Sequence, residues 1–97
     1  MFVYFLLKTI RLAAAPKNDV PQIREAAQKA YQGLLEQKLK EDPSGELHLA
    51  GICKVAGLGG TPYRDGSYEY YVSEPAADDD FKGVGAFILA SMEIESL

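Results

Sequence analysis

The opening run MFVYFLLKTIRLAA sets the tightest limit on how this chain folds. Phe2, Phe5, Leu6, Thr9 and Ala13 recur at spacings of three and four, and Val3, Leu7 and Ile10 fill a neighbouring face. The spacing predicts a helix from Phe2 to about Ala14 that is apolar around most of its circumference. Such a helix has no side to offer water and belongs inside, as an inner helix does. Pro16 ends it, and Lys17-Asn18-Asp19 makes a polar connection. No helix-start signal precedes the apolar run. The run has some of the look of a signal peptide. It lacks a basic leader, however, and Lys8 and Arg11 interrupt it early. It also falls short of the ~20 residues that span a bilayer. It reads as a core helix of the mature chain, with cytoplasmic and periplasmic locations both open.

The 97 residues allow one domain at most, with a modest core. A formal net charge of −4 argues against a nucleic-acid partner, since neutralising phosphates needs surplus Lys and Arg. The longest basic cluster is Lys38-Leu39-Lys40, so no electrostatic membrane anchor is expected. Cys53 is the only cysteine, which excludes an intramolecular disulfide and a cysteine zinc cage. It reads as a small apolar residue. His48 is the only histidine, so spacing supports no Cys–His couple.

A second helix is expected over Pro21 to Lys40, capped by Asn18 or Asp19, with Pro21 in its first turn. Ile23, Ala27, Ala30, Leu34, Leu35 and Leu39 form its apolar stripe. Glu25–Lys29 and Glu36–Lys40 are favourably oriented i,i+4 pairs on the wet side. The helix stops at the turn cluster Asp42-Pro43-Ser44-Gly45. Glu46 to Leu49 alternates polar and apolar like a short strand, and Tyr68 to Val72 has strand composition after the turn signal Asp65-Gly66. A last helix runs from Lys82 to about Ile94, burying Val84, Phe87, Ile88, Ser91 and Met92, with Gly83 and Gly85 in its first turn. Those two glycines suit close packing against another helix or a ligand approaching the helix N-terminus.

Between these elements lies a loop that generic folding does not require. Gly57, Gly59, Gly60 and Gly66 permit close backbone approach, and Tyr63, Tyr68, Tyr70 and Tyr71 set amphipathic rings beside Arg64, Asp65 and Glu69. Rings beside charges suit a sugar-binding or interface surface. Arg64 reads equally as a bidentate clamp for a ligand carboxylate or as a rim charge paired with Asp65. Asp65 and Glu69 can be cast as a glycosidase carboxylate pair, but turn chemistry accounts for Asp65-Gly66 and is preferred. Asp78-Asp79-Asp80 is better explained as a helix N-terminal cap than as a calcium or magnesium site.

The run RDGSYEYYVSEP, followed by KGVGAFILASMEIE, closely resembles the C-terminal segment of glycoside hydrolase family 105, the unsaturated rhamnogalacturonyl hydrolases. These are related to the family 88 unsaturated glucuronyl hydrolases. AGLGGTPYRDG is similar to that family's loop, MFVYFLLKTIR to the helix before it, and AAQKAYQGLL to an element in the same order. The resemblance implies a mainly α fold, the C-terminal portion of an (α/α) double toroid. Here that means three helices plus a short β-hairpin-like glycine- and tyrosine-rich loop, with residues 1–97 as a single partial domain.

It further implies removal of a terminal 4,5-unsaturated galacturonic acid from pectin-derived oligosaccharides. An aspartate protonates the double bond and positions water for vinyl-ether hydration, with no metal or organic cofactor. None of Asp19, Asp42, Asp65, Asp78, Asp79 or Asp80 sits in the family's acid/base motif, so no catalytic residue is carried over. A piece of the enzyme inactive alone is expected, with Tyr63, Arg64, Asp65 and Tyr68 walling a pocket for an unsaturated uronyl oligosaccharide. Two apolar helix surfaces are expected to seek neighbours or self-associate. The rival readings are a small noncatalytic helical interaction or dimerisation module, and a carbohydrate-binding module using the tyrosines.

Overall fold

The computed structural model describes residues 1–97. Helix α1 spans Phe2–Arg11, a 3-10 turn spans Lys17–Asp19, and helix α2 spans Val20–Gln37. Strands β1 (Leu39–Glu41), β2 (Leu47–Leu49) and β3 (Ile52–Cys53) follow, then helix α3 (Tyr68–Ser73), strand β4 (Ala76–Ala77) and helix α4 (Phe81–Glu95). No helix is long and apolar enough to cross a membrane.

Helix α1 stops earlier than its apolar pattern suggests, and backbone hydrogen bonds do the stopping. Ala14 N–H donates to Thr9 O and Ala13 N–H to Ile10 O, both at 3.0 Å, while Ala13 takes a φ of 55°. This is a Schellman closure with alanine in the left-handed position usually held by glycine. Pro16 only follows it. Asp19 occupies the N-cap of α2 without a side-chain capping bond, and Pro21 fits the first turn. The other end of α2 corrects an expectation. Leu39 and Lys40 leave the helix and pair with β2, in the antiparallel register Leu39↔Leu49, Lys40↔His48, Glu41↔Leu47. Lys40 is thereby withdrawn from Glu36, which accepts a 2.8 Å bond from Gln32 instead. Neither expected i,i+4 pair appears among the ion pairs.

Tyr68 to Val72 is helical, not extended, so there are four α-helices where three were expected. The cause is local. Ser67 is extended and its hydroxyl accepts from Tyr70 N–H at 3.1 Å, capping α3, while Glu69 sits favourably in the first turn. The aromatic composition that suggests a strand yields to this cap.

The core lies where three helices meet. Val3 and Leu7 of α1 are sealed against Ala27 of α2 and Ala90 of α4, with Tyr4, Leu6, Ile10, Tyr31, Leu34 and Ile94 packed around them. The two alanines let the helix backbones come close to α1. Arg11 grips Glu93, which is only 8% exposed, with Nε at 3.2 and 3.0 Å from its two carboxylate oxygens and Nη2 at 2.9 Å. This two-pronged geometry suits guanidinium and carboxylate. Tyr31 stacks on Phe87 at 5.8 Å and hydrogen-bonds Ser91 at 2.8 Å.

Both apolar helices correct the sequence reading in the same way. Phe2 and Phe5 are 82% and 61% exposed, and Ile88 and Met92, expected inside, are 53% and 62% exposed. Ala90 and Glu93 point inward instead. Gly83 is closely packed, but against a strand and not the expected helix: a Cβ there would lie 2.6 Å from Ile52 of β3. Gly85 faces open space. β3 pairs antiparallel with β4 through Ile52↔Ala77 and Cys53↔Ala76, which ties the loop region to the start of α4.

The result is a slab, 46 × 39 × 17 Å, with a radius of gyration of 16.1 Å. A compact domain of this length would have about 12.5 Å. Its accessible surface of 7167 Å² likewise exceeds the roughly 5,500 Å² expected for the mass. Much apolar surface is therefore uncovered.

Candidate functional site

The glycine-rich loop is organised by its arginine. Gly59 N–H donates to Arg64 O at 2.8 Å and Arg64 N–H returns to Gly59 O at 3.0 Å. The Arg64 side chain then folds back, its Nε donating to the same Gly59 carbonyl at 2.9 Å. The guanidinium lies across Gly57 and Gly60. A Cβ on Gly60 would stand 2.9 Å from Nη2, and one on Gly57 3.2 Å from Nη1. Gly60 also has a φ of 84°, so both space and backbone favour glycine.

Helix α3 supplies the opposite wall. Tyr70 Oη accepts from Gly57 N–H at 3.3 Å, joining the helix to the loop. Together they enclose an open cavity of about 420 Å³ lined by Thr61, Pro62, Tyr63, Arg64, Tyr70, Ser73 and Glu74. The neighbouring Glu74 carboxylate raises the pKa of the Tyr70 phenol, so the phenol holds its proton. Arg64 takes part in none of the chain's ion pairs. The alternative of local pairing with Asp65 is thereby set aside.

Of the four expected pocket residues, the structure brings Tyr63 and Arg64 to the cavity. Asp65 and Tyr68 are not in its lining. Asp65 accepts from Ser67 N–H at 2.9 Å, which fixes the turn into α3, and hydrogen bonding from the Ser67 side chain and then its backbone lowers the Asp65 pKa. That is the turn role preferred from sequence, and Glu69 is exposed in the first helical turn. Tyr70, Ser73 and Glu74 were missed. Their i, i+3, i+4 spacing puts them on one helix face, a signal hidden once the segment is read as a strand.

A second polar cluster joins distant parts of the chain. His48 Nδ1 lies 2.6 Å from Asp79 Oδ2, and its Nε2 lies 2.9 Å from Asp42 Oδ2. Asp42 Oδ1 meanwhile accepts from Ser44 N–H, Ser44 Oγ–H and Glu46 N–H, while Asp79 Oδ1 accepts from Leu49 N–H at 2.8 Å. Hydrogen bonds to Asp42 and then Asp79 push the His48 pKa up to about 9. At neutral pH it is an imidazolium donating from both nitrogens. Asp42, Glu46 and His48 have ligand atoms within 4.8 Å of one another. Both ring nitrogens of His48 are engaged by carboxylates, however, and the group works as a staple joining β2 to the segments on either side. Asp79 thus serves the staple, and only Asp80 caps α4, accepting from Lys82 N–H at 3.0 Å. Cys53 is partly buried, with Sγ 3.2 Å from Val55 O.

The sequence profile of glycosyl hydrolase family 88 matches residues 1–97, the whole chain. This chain belongs to that family. A Clostridium acetobutylicum ATCC 824 glycoside hydrolase from family 105 is 46% identical and superposes with a TM-score of 0.84, covering 98% of this chain. The fold is accordingly that of part of an α/α toroid. Protein Atu3128 of Agrobacterium fabrum (strain C58) and the 24.9 kDa protein in picA locus of Rhizobium radiobacter are each 42% identical over 95 residues. The family 88 chain spans 41% of the length of those two relatives and 25% of the clostridial chain.

Proposed function

We propose that this family 88 chain supplies one wall of the substrate cleft of an unsaturated uronyl hydrolase acting on pectin-derived oligosaccharides. The substrate is an unsaturated rhamnogalacturonyl or related oligosaccharide, and the reaction removes its 4,5-unsaturated galacturonic acid by vinyl-ether hydration. The observation carrying this reading is Arg64. It is a permanently charged guanidinium, fixed on a glycine cradle at a cavity rim and free of any carboxylate partner. A planar fork in that state suits a uronate carboxylate. Tyr63 beside it offers an apolar face and a hydroxyl to a sugar ring. The acid/base aspartate is assigned to none of residues 1–97, so the isolated chain is expected to be inactive.

The test is Arg64→Ala in a full-length family member carrying this segment. Turnover is followed by the loss of ultraviolet absorbance from the conjugated uronate. Losing a charge-assisted contact of about 1.5–3 kcal/mol should lower kcat/KM by roughly 10- to 150-fold. Arg64→Lys should recover only part, because the fork is lost. Unchanged kinetics in both variants would remove Arg64 from the cleft.

A further inference from the structure

The seat of Arg64 is tied to helix α3 through a single phenol. Tyr70 Oη accepts from Gly57 N–H at 3.3 Å, and no other hydrogen bond joins α3 to residues 56–64. Gly57 is also the floor under Nη1 of Arg64, so close that a Cβ there would stand 3.2 Å away. On its other side Arg64 is held within its own turn, where Gly59 O takes both its backbone N–H and its Nε. The guanidinium therefore rests between one local carbonyl and one glycine whose place is set from α3. A phenol has one proton and two lone pairs. Glu74 stands one helical turn on from Tyr70 and shares the same cavity wall. It takes part in none of the chain's ion pairs, so no lysine or arginine claims its carboxylate. That carboxylate hydrogen-bonds the phenol and is the first cause of its raised pKa. With the O–H turned to Glu74, a lone pair of Oη is left for Gly57 N–H.

We infer that Tyr70 and Glu74 are positioning residues for Arg64. The Glu74 carboxylate orients the Tyr70 phenol, the phenol fixes Gly57, and Gly57 sets where the guanidinium meets an incoming uronate carboxylate. Neither side chain needs to touch the sugar for this. The inference rests on the reading of Arg64 as the uronate's partner. That carboxylate is present in substrate and transition state alike, so a displaced guanidinium weakens both and shows in KM more than in kcat.

The test is a double-mutant cycle in a full-length family member carrying this segment, assayed well below its Tm on an unsaturated galacturonyl–rhamnose disaccharide. Tyr70→Phe keeps the ring and removes the acceptor. It should lower kcat/KM roughly 3- to 10-fold, carried by KM. In an Arg64→Ala background the same change should cost less than about 2-fold, because a residue acting through Arg64 has nothing left to act on. Glu74→Gln keeps an acceptor for the phenol and should stay within about 2-fold of the parent, whereas Glu74→Ala should match Tyr70→Phe. Equal losses from Tyr70→Phe with and without Arg64 would give the phenol a contact of its own and overturn the inference while leaving Arg64 in the cleft. A loss confined to kcat would overturn it in the same way. Glu74→Gln falling as far as Glu74→Ala would give the carboxylate's charge a different task and overturn it too. Parental kinetics in the single Arg64→Ala variant would instead remove the uronate reading itself, and the inference with it.

Discussion

The three-helix region and the segment from Lys38 to Asp80 are built by opposite means. Five of the six buried residues, Val3, Leu7, Ala27, Ala90 and Glu93, lie on α1, α2 and α4, and only Leu49 lies in the other segment. The helices hold together by apolar contact and one ion pair between the exposed Arg11 and the buried Glu93. The loop segment holds together by backbone turns, the glycine cradle under Arg64, the Ser67 cap and the His48 staple. Hydrophobic burial is tolerant of detail, since many side chains of similar volume fill a core. Hydrogen-bonded loops tolerate less, since losing one partner leaves a polar group unpaired, and a side chain at Gly60 or Gly66 would meet both a positive φ and a close neighbour. The contrast places stability in the helices and the shape of the cavity in the loop.

Core and loop substitutions should separate accordingly. Leu7→Ala, which empties the most enclosed large side chain, should cost about 2–5 kcal/mol in urea unfolding, the largest effect expected. A smaller loss would mean that the helices rely on something besides this core. Gly83→Ala tests the junction of the two regions. The added methyl meets Ile52 at 2.6 Å, and about 1–3 kcal/mol should be lost although alanine favours helix. Pairing it with Ile52→Ala in a double-mutant cycle should recover part of that loss. Ser67→Ala removes the α3 cap and should cost about 1 kcal/mol, with faster amide exchange confined to Tyr68–Ser73.

The mildest test is pH. His48 is raised from 6.5 to about 9, so its contribution is whole below pH 6.5 and fades as pH rises through 9. Asp42 and Asp79 are lowered from 3.8, so their contributions are whole above that pH and fade on acidification. Urea midpoints should therefore decline on either side of roughly pH 4–6.5. His48→Asn should flatten the alkaline side and also weaken the acid side, because His48 is the first cause of the Asp79 shift and contributes to that of Asp42.

How far the sequence could be read follows the same division. The helices α1, α2 and α4 were legible because apolar periodicity records burial directly, and the motif from Gly57 to Gly85 pointed to the family. The phase of burial on α1 and α4 was not legible. Both helices are apolar on two faces, and composition cannot say which face enters the core among α1, α2 and α4 and which stays exposed. In the loop, Tyr68–Val72 misled because a single serine cap outweighs four strand-favouring residues, Tyr68, Tyr70, Tyr71 and Val72. His48 seemed isolated because its partners lie 6 and 31 residues away. Arg64 drew notice through its glycine and tyrosine neighbours and does line the cavity, yet the wall formed by Tyr70, Ser73 and Glu74 required knowing that α3 is a helix.

The seat of Arg64 on Gly57, Gly59 and Gly60 has a consequence for whatever reaches it. A free arginine surrenders up to ~2 kcal/mol of rotamer entropy when a partner immobilises it. Here the Nε bond and the glycine floor have already frozen the side chain during folding. An incoming anion therefore meets a guanidinium that is stationary beforehand, and more of the attraction between them survives as affinity.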